Sequence, residues 1–269
     1  MSRNFKSIEF FGLPGSGKTY CASIARQIFE KKGYKVFNAR ECVINGSANL
    51  IKLNLSEKLS LNYFRLLNYK KKLNDNKKIK NKNIKIEINK NYKTNYFKLE
   101  YTEVCKKIIQ TRKKFNKIIK EIEIIFKDKT ISNQQYLFWI YELISSQIIF
   151  EKHYKYKNKN LLLLDEGLIQ RSFTINKKIS KKNKNFFYKL YFKTMPLSET
   201  IFFISKPQKK IKKVNKERKK YSMLKYKKKD ELKNFFNFLN LHLIKQRKFK
   251  FKEIKNSNKI RSKLKKIFS

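Results

Sequence analysis

Cysteine, glycine and acidic residues are all scarce in this chain, and it has no long apolar run. The three cysteines, Cys21, Cys42 and Cys105, form no C-x-x-C pair and have no histidine cluster beside them, which speaks against a disulfide framework or a zinc site. No segment approaches the roughly 20 apolar residues of a membrane span, and Met1 to Ile8 holds no apolar core of signal-peptide length. The expectation is a soluble, cytoplasmic protein without a membrane span. Asp and Glu number 20 against 68 Lys and Arg, which leaves a net charge of +48. Such a charge is the electrostatic footprint of a nucleic-acid or anionic-membrane partner. Only nine of the cations are arginine, however, and Asn and Ile are abundant too, a bias that an AT-rich coding sequence produces without selection for a partner. Lysine runs such as 70–72 and 227–229 read as solvated faces, and no base-reading motif accompanies them.

Of six glycines in 269 residues, three fall within Gly12-Leu13-Pro14-Gly15-Ser16-Gly17-Lys18-Thr19. This is a complete G-x-x-x-x-G-K-[ST] match, preceded by Ile8-Glu9-Phe10-Phe11 as a strand and followed by Tyr20-Cys21-Ala22-Ser23-Ile24-Ala25 as the start of a helix, the context a phosphate loop requires. Glycines let the backbone curl its N–H groups around an anion while the helix aims its positive end at the same point. Gly12, Pro14, Gly15, Ser16, Gly17, Lys18, Thr19 and Tyr20 are the residues expected to hold ATP. Lys18 would reach the β- and γ-phosphates, and the Thr19 hydroxyl would ligate Mg²⁺.

Cys21, Ile24, Ala25, Ile28 and Phe29 have amphipathic-helix spacing that Gly33 stops, and 34–38 reads as a second strand. This opening predicts a mostly parallel sheet with nucleotide at its C-terminal edge. Arg40-Glu41 follow the second strand at that edge, where Arg40 is either a ligand for an acceptor's anion or a plain surface cation. Residues 56–157 read as an inserted helical region. Its apolar faces are Leu59, Tyr63, Leu66, Leu67; then Val104, Ile108, Phe115, Ile118, Ile119, Ile122, Phe126; then Leu137, Ile140, Tyr141, Ile144, Ile148. The Lys/Asn-rich stretch 77–95 is open between loop and strand.

Leu161-Leu162-Leu163-Leu164-Asp165-Glu166-Gly167 predicts a strand buried on both faces and tipped by two acids. Asp165 is the candidate magnesium ligand, with a helix N-cap as its alternative role. Glu166 is a candidate water-orienting, acceptor-binding or base residue. Gln170 and Arg171, a turn later, are placed to face the same pocket. Phe186, Phe187, Leu190 and Tyr191 suggest a helix, 199–204 a fourth strand, 249–254 a fifth, and Ile260, Leu264 and Ile267 a closing helix. The basic segment 209–220 carries Arg218, the candidate for a cation that closes over the transferring group.

This order of motifs resembles the P-loop small-molecule kinases, nearest to the nucleoside monophosphate kinase branch and thymidylate kinase. The resemblance rests on the phosphate loop, Ala39-Arg40-Glu41, the Asp-bearing third strand, and 196–204 followed by a basic segment ending in Arg218. It implies a three-layer α/β P-loop NTPase fold with a five-stranded parallel sheet in the order 2-3-1-4-5, ATP·Mg²⁺ at the loop, and phosphoryl transfer to a small acceptor. The core would comprise 1–55 and 158–269, with 56–157 inserted and 207–228 a basic lid; a homodimer is compatible with it. Asp165-Glu166 stands where thymidylate kinases carry Asp-Arg, and the Pro-Gly-Gly that usually follows the Arg40 step is missing, so the acceptor is not carried over. Lys18, Asp165, Glu166 and Arg218 are the catalytic candidates, and Arg40 and Arg171 the acceptor-binding ones. The rival reading is a P-loop ATPase coupled to nucleic-acid binding. No N-K-x-D base-reading motif follows the strand at 201–204, which argues against a GTPase.

Overall fold

Five short segments of the chain become strands of one sheet, and the most apolar of them lie at its centre. A computed structural model describes residues 6–12, 15–77, 93–127, 130–175, 178–179, 183–205, 250–255 and 260–268. The strands are β1 (Ser7–Phe11), β2 (Lys35–Phe37), β3 (Asn160–Leu164), β4 (Thr200–Ser205) and β5 (Lys250–Lys255). They pair in the order β2-β3-β1-β4-β5, and every pairing is parallel. Both β1 and β3 are buried along their whole length, as parallel strands covered by helices on both faces must be.

Side chains of a strand alternate between faces, and the sheet sorts its core accordingly. Ile8, Phe10, Leu161, Leu163, Phe202 and Ile204 pack with α1 (Lys18–Lys31) and the closing helix, which here is α9 (Ile260–Phe268). Phe11, Leu162, Leu164, Ile201 and Phe203 pack on the other face. That second layer holds α2 (Ala39–Gly46), α3 (Leu55–Lys77), α4 (Lys93–Gln110), α5 (Asn116–Ile125), α6 (Ile131–Ile149), α7 (Leu168–Ile175) and α8 (Lys184–Thr194). The Phe10 and Phe202 rings stack at 5.5 Å across β1 and β4; truncating either to Ala would cost about 3–5 kcal/mol.

The expected sheet order is present and the described residues between β2 and β3 are mostly helical, and several details differ. On α3, Leu59 and Leu66 are exposed, and the buried face is Leu61 and Phe64. Tyr63 and Leu67 of the expected face do pack, partly buried, against the core, and the ring of Phe64 beside them packs against Tyr101 and Phe138. The second apolar face is divided between α4 and α5, because the chain turns at Thr111 and Arg112 between them. On α8, Phe186 is exposed while Tyr188 and Phe192 are buried. Most of the Lys/Asn-rich stretch 77–95 and the 207–228 segment with Arg218 lie outside the described residues.

Candidate active site

The C-terminal ends of β1 and β3 are adjacent, so the loop that follows one and the acids that tip the other are brought together by strand order alone. Of the loop, Leu13 and Pro14 lie outside the described residues. Gly15 and Gly17 adopt φ of +84° and +98°, left-handed conformations that cost a residue with a Cβ about 1–2 kcal/mol. Gly17 stands at the start of α1, and no side chain caps that helix. This is the arrangement by which a helix N-terminus receives an anion.

Lys18 is 5% exposed. Its ammonium donates to the Gly12 carbonyl at 2.9 Å and lies 3.4 Å from Glu166 Oε1. Burial draws its pKa below the ordinary lysine value, against Glu166 and Asp165, which hold it up. The next side chain also reaches the β3 tip: Thr19 Oγ1 donates to Asp165 Oδ2 at 3.3 Å. Ser16 is buried beneath the loop, and Tyr20 is 57% exposed at the start of α1.

Glu166 links the loop to the layer above. Its second oxygen accepts from Arg171 Nη2 at 3.1 Å, and the Arg171 guanidinium lies 4.4 Å from the ring centre of Trp139 on α6. Arg40, at the first turn of α2, is held by Glu142 of α6 at 2.8 Å and lies against the rings of Phe64 and Phe138. Tyr101 donates its hydroxyl to the same Glu142 oxygen at 2.9 Å; burial, with Glu142 adding to it, pushes its pKa well above the usual tyrosine value and keeps it a neutral donor. Glu41 closes a capping box with Asn38 and pairs with Arg26 at 3.0 Å, so it holds α2 against α1. Asp165 does not serve as the α7 cap: the carboxylate at that helix end is Glu9, whose Oε1 accepts from the Gln170 N–H at 3.0 Å.

Between these groups lies a cleft of about 530 Å³, lined by Thr19, Ser23, Arg26, Arg40, Asn68, Trp139, Glu142, Asp165, Glu166 and Arg171 together with apolar residues of α1, α2, α6 and β3. The volume is within the usual range for a small-molecule site, roughly 300–1,000 Å³. Lys18, Thr19, Asp165, Glu166, Arg40 and Arg171 are thus brought to one place. The left-handed glycines, uncapped helix, buried ammonium and hydroxyl–carboxylate pair form a donor set that fits a magnesium-bound triphosphate. Thr19 and Asp165 are the residues that would hold the metal.

Three participants were not singled out from sequence. Glu9 sits in β1, and its signal is a lone carboxylate in a strand buried on both faces. Glu142 likewise interrupts the apolar α6, and Trp139 is the chain's single tryptophan. No protein-family model matches the chain, and no curated protein matches it either.

Proposed function

We propose that this protein is a P-loop phosphotransferase that moves the γ-phosphoryl group of ATP to a small acceptor seated in the cleft, with Mg²⁺. The observation that carries this reading is that the Thr19–Asp165 pair and Glu166, with Lys18 against Glu166, line one open cleft of small-molecule size. Lys18 supplies a cation, already partly dehydrated, for charge that builds on the phosphoryl oxygens. Mg²⁺, when bound, neutralises the charge of the phosphates and orients them. Thr19 and Asp165 would hold the metal, and Glu166, between Lys18 and Arg171, faces the space where an acceptor hydroxyl would sit. The helical insertion supplies the far wall through Trp139 and Glu142, which gives those inserted residues a role in choosing the acceptor.

The test is an ATP-consumption screen over nucleosides, nucleoside monophosphates, sugars and sugar phosphates, run beside Lys18→Ala. Acceptor-dependent consumption that vanishes in the variant supports the reading. Consumption raised only by DNA or RNA, and falling steeply with salt, would replace it with the nucleic-acid-coupled ATPase.

A further inference from the structure

Large apolar side chains that stay in water are concentrated in one part of this protein. Ten are exposed among the described residues, and six of them, including every exposed leucine, lie on α3 and α4. Along α3, Leu55, Leu59, Leu66 and Tyr69 recur at a spacing that keeps them on one side of a 3.6-residue helix. At 1.5 Å per residue this stripe is about 21 Å long. The opposite side of α3 is the one that packs, through Leu61 and Phe64, so the core does not account for the stripe. An exposed apolar patch of this kind marks a contact surface.

The charges around the stripe are of one sign. Lys58, Arg65 and Lys70 are exposed beside it. The only acid between Leu55 and Lys70 is Glu57, which is buried on the packed side and paired with Lys107 at 2.7 Å. On the neighbouring α4, Glu100 accepts from Ser56 at 2.7 Å and Glu103 pairs with Lys106 at 2.8 Å. Two copies meeting through this stripe would set Lys58, Arg65 and Lys70 of one against the same cations of the other, in a chain of net charge +48. A nucleic-acid backbone would pair the cations but leave three leucines against phosphate and sugar. A surface that is apolar inside and anionic outside satisfies both kinds of side chain.

We infer that the outer side of α3 is a docking surface for an anionic lipid bilayer. Leu55, Leu59 and Leu66 enter the boundary between headgroups and acyl chains, Tyr69 lies at headgroup level, and the flanking cations reach the lipid phosphates with their long side chains. Asn68, about half a turn of helix from Leu66, lines the cleft, so contact through the stripe leaves the cleft side of α3 untouched. The inference is independent of the phosphotransferase reading.

The test is co-sedimentation of the full chain with vesicles of phosphatidylcholine alone and of phosphatidylcholine mixed equally with phosphatidylserine. Binding to the mixed vesicles should be about tenfold tighter or more, and should weaken as salt is raised. Leu59→Gln combined with Leu66→Gln keeps every charge and changes only exposed positions. It should lose about tenfold or more in affinity while melting like the wild type. Lys58→Glu with Lys70→Glu should lose at least as much, and Lys18→Ala should bind vesicles as the wild type does. A leucine variant that binds as tightly as the wild type would reduce the attraction to net charge and overturn the inference. So would a wild type that sediments with neither vesicle, whether it runs as a dimer that the leucine variant dissolves or is instead retained by DNA or RNA.

Discussion

Glu9 Oε1 accepts the backbone N–H of Gln170 at 3.0 Å, and Gln170 in turn accepts the N–H of Gly12 on its side-chain oxygen at 3.1 Å. Two hydrogen bonds therefore tie the middle strand, the start of α7 and the first residue of the glycine-rich loop into one unit. Glu9 is fully buried, and the loss of water pushes its pKa up to about 7 although the N–H groups of Gln170, Ile169 and Gly167 and the charge of Arg171 pull it down. A carboxylate raised in this way binds its proton more tightly in the folded chain than in the unfolded one. Its contribution to stability is complete below about pH 4.5 and lost as pH rises through about 7.

Glu9→Gln keeps an oxygen acceptor for Gln170 and removes the titration. Its advantage over the wild type should grow between pH 5 and pH 8 by about 2–3 kcal/mol, from about 1.4 kcal/mol per pH unit. Urea unfolding of both proteins at several pH values measures this, and parallel pH profiles would show that Glu9 is not the titrating group.

Gly167 lies against the same carboxylate. A Cβ built there would stand 2.3 Å from Glu9 Oε2, closer than any real contact. Gly167→Ala should therefore lose about 1–3 kcal/mol of stability through overpacking, and push the adjacent Asp165 and Glu166 out of register with Lys18 and Thr19. A variant that melts early and also loses turnover fits this. One that melts like the wild type would mean the strand and helix part without effort.

How far the sequence showed these features depends on the type of signal. The meeting of the glycine-rich loop with the β3 tip was legible because the loop's motif is compressed into adjacent residues and four leucines followed by two acids admit few readings. The sheet order came from resemblance, since nothing in Ile8 or Leu162 names its neighbouring strand. Arg40 was found, but its partner Glu142 is 102 positions away, a pairing that no local pattern announces. Leu59 and Leu66 were assigned to the core because α3 is apolar on two sides, and only the packing of Phe64 on Tyr101 and Phe138 decides between them.

Lys18 should prove removable without harm to the fold. It is a buried cation whose burial lowers its pKa, so its replacement relieves a desolvation cost while giving up the Glu166 contact. Lys18→Ala is expected to melt within about 2 °C of the wild type in the absence of nucleotide, since 1 kcal/mol corresponds to about 2–4 °C in a chain of this size. Saturating ATP·Mg²⁺, at about a hundred times its Kd, would raise wild-type stability by about 2.7 kcal/mol and should leave the variant unmoved. Thermal melts with and without nucleotide check both halves, and an equal nucleotide-induced shift in the variant would remove Lys18 from the site.

Asp165 and Thr19 yield the most specific expectation, because they face each other at 3.3 Å and both are exposed. If the pair holds magnesium, Asp165→Asn removes a full charge from the metal while keeping the side chain's shape. Its effect should then fall on turnover by about a hundredfold or more, as for other electrostatic catalytic groups. Part of the loss should be recovered as Mg²⁺ is raised, because weaker affinity is offset by mass action. Thr19→Val, which deletes the hydroxyl and keeps the volume, should shift the same magnesium curve in the same direction. Neither change touches a buried contact, so melting without nucleotide should stay close to the wild type. Turnover measured against magnesium concentration separates this from a structural role: a variant that keeps its magnesium dependence and full rate but unfolds early would make Asp165 a stabilising residue of the strand tip and leave the metal to other ligands.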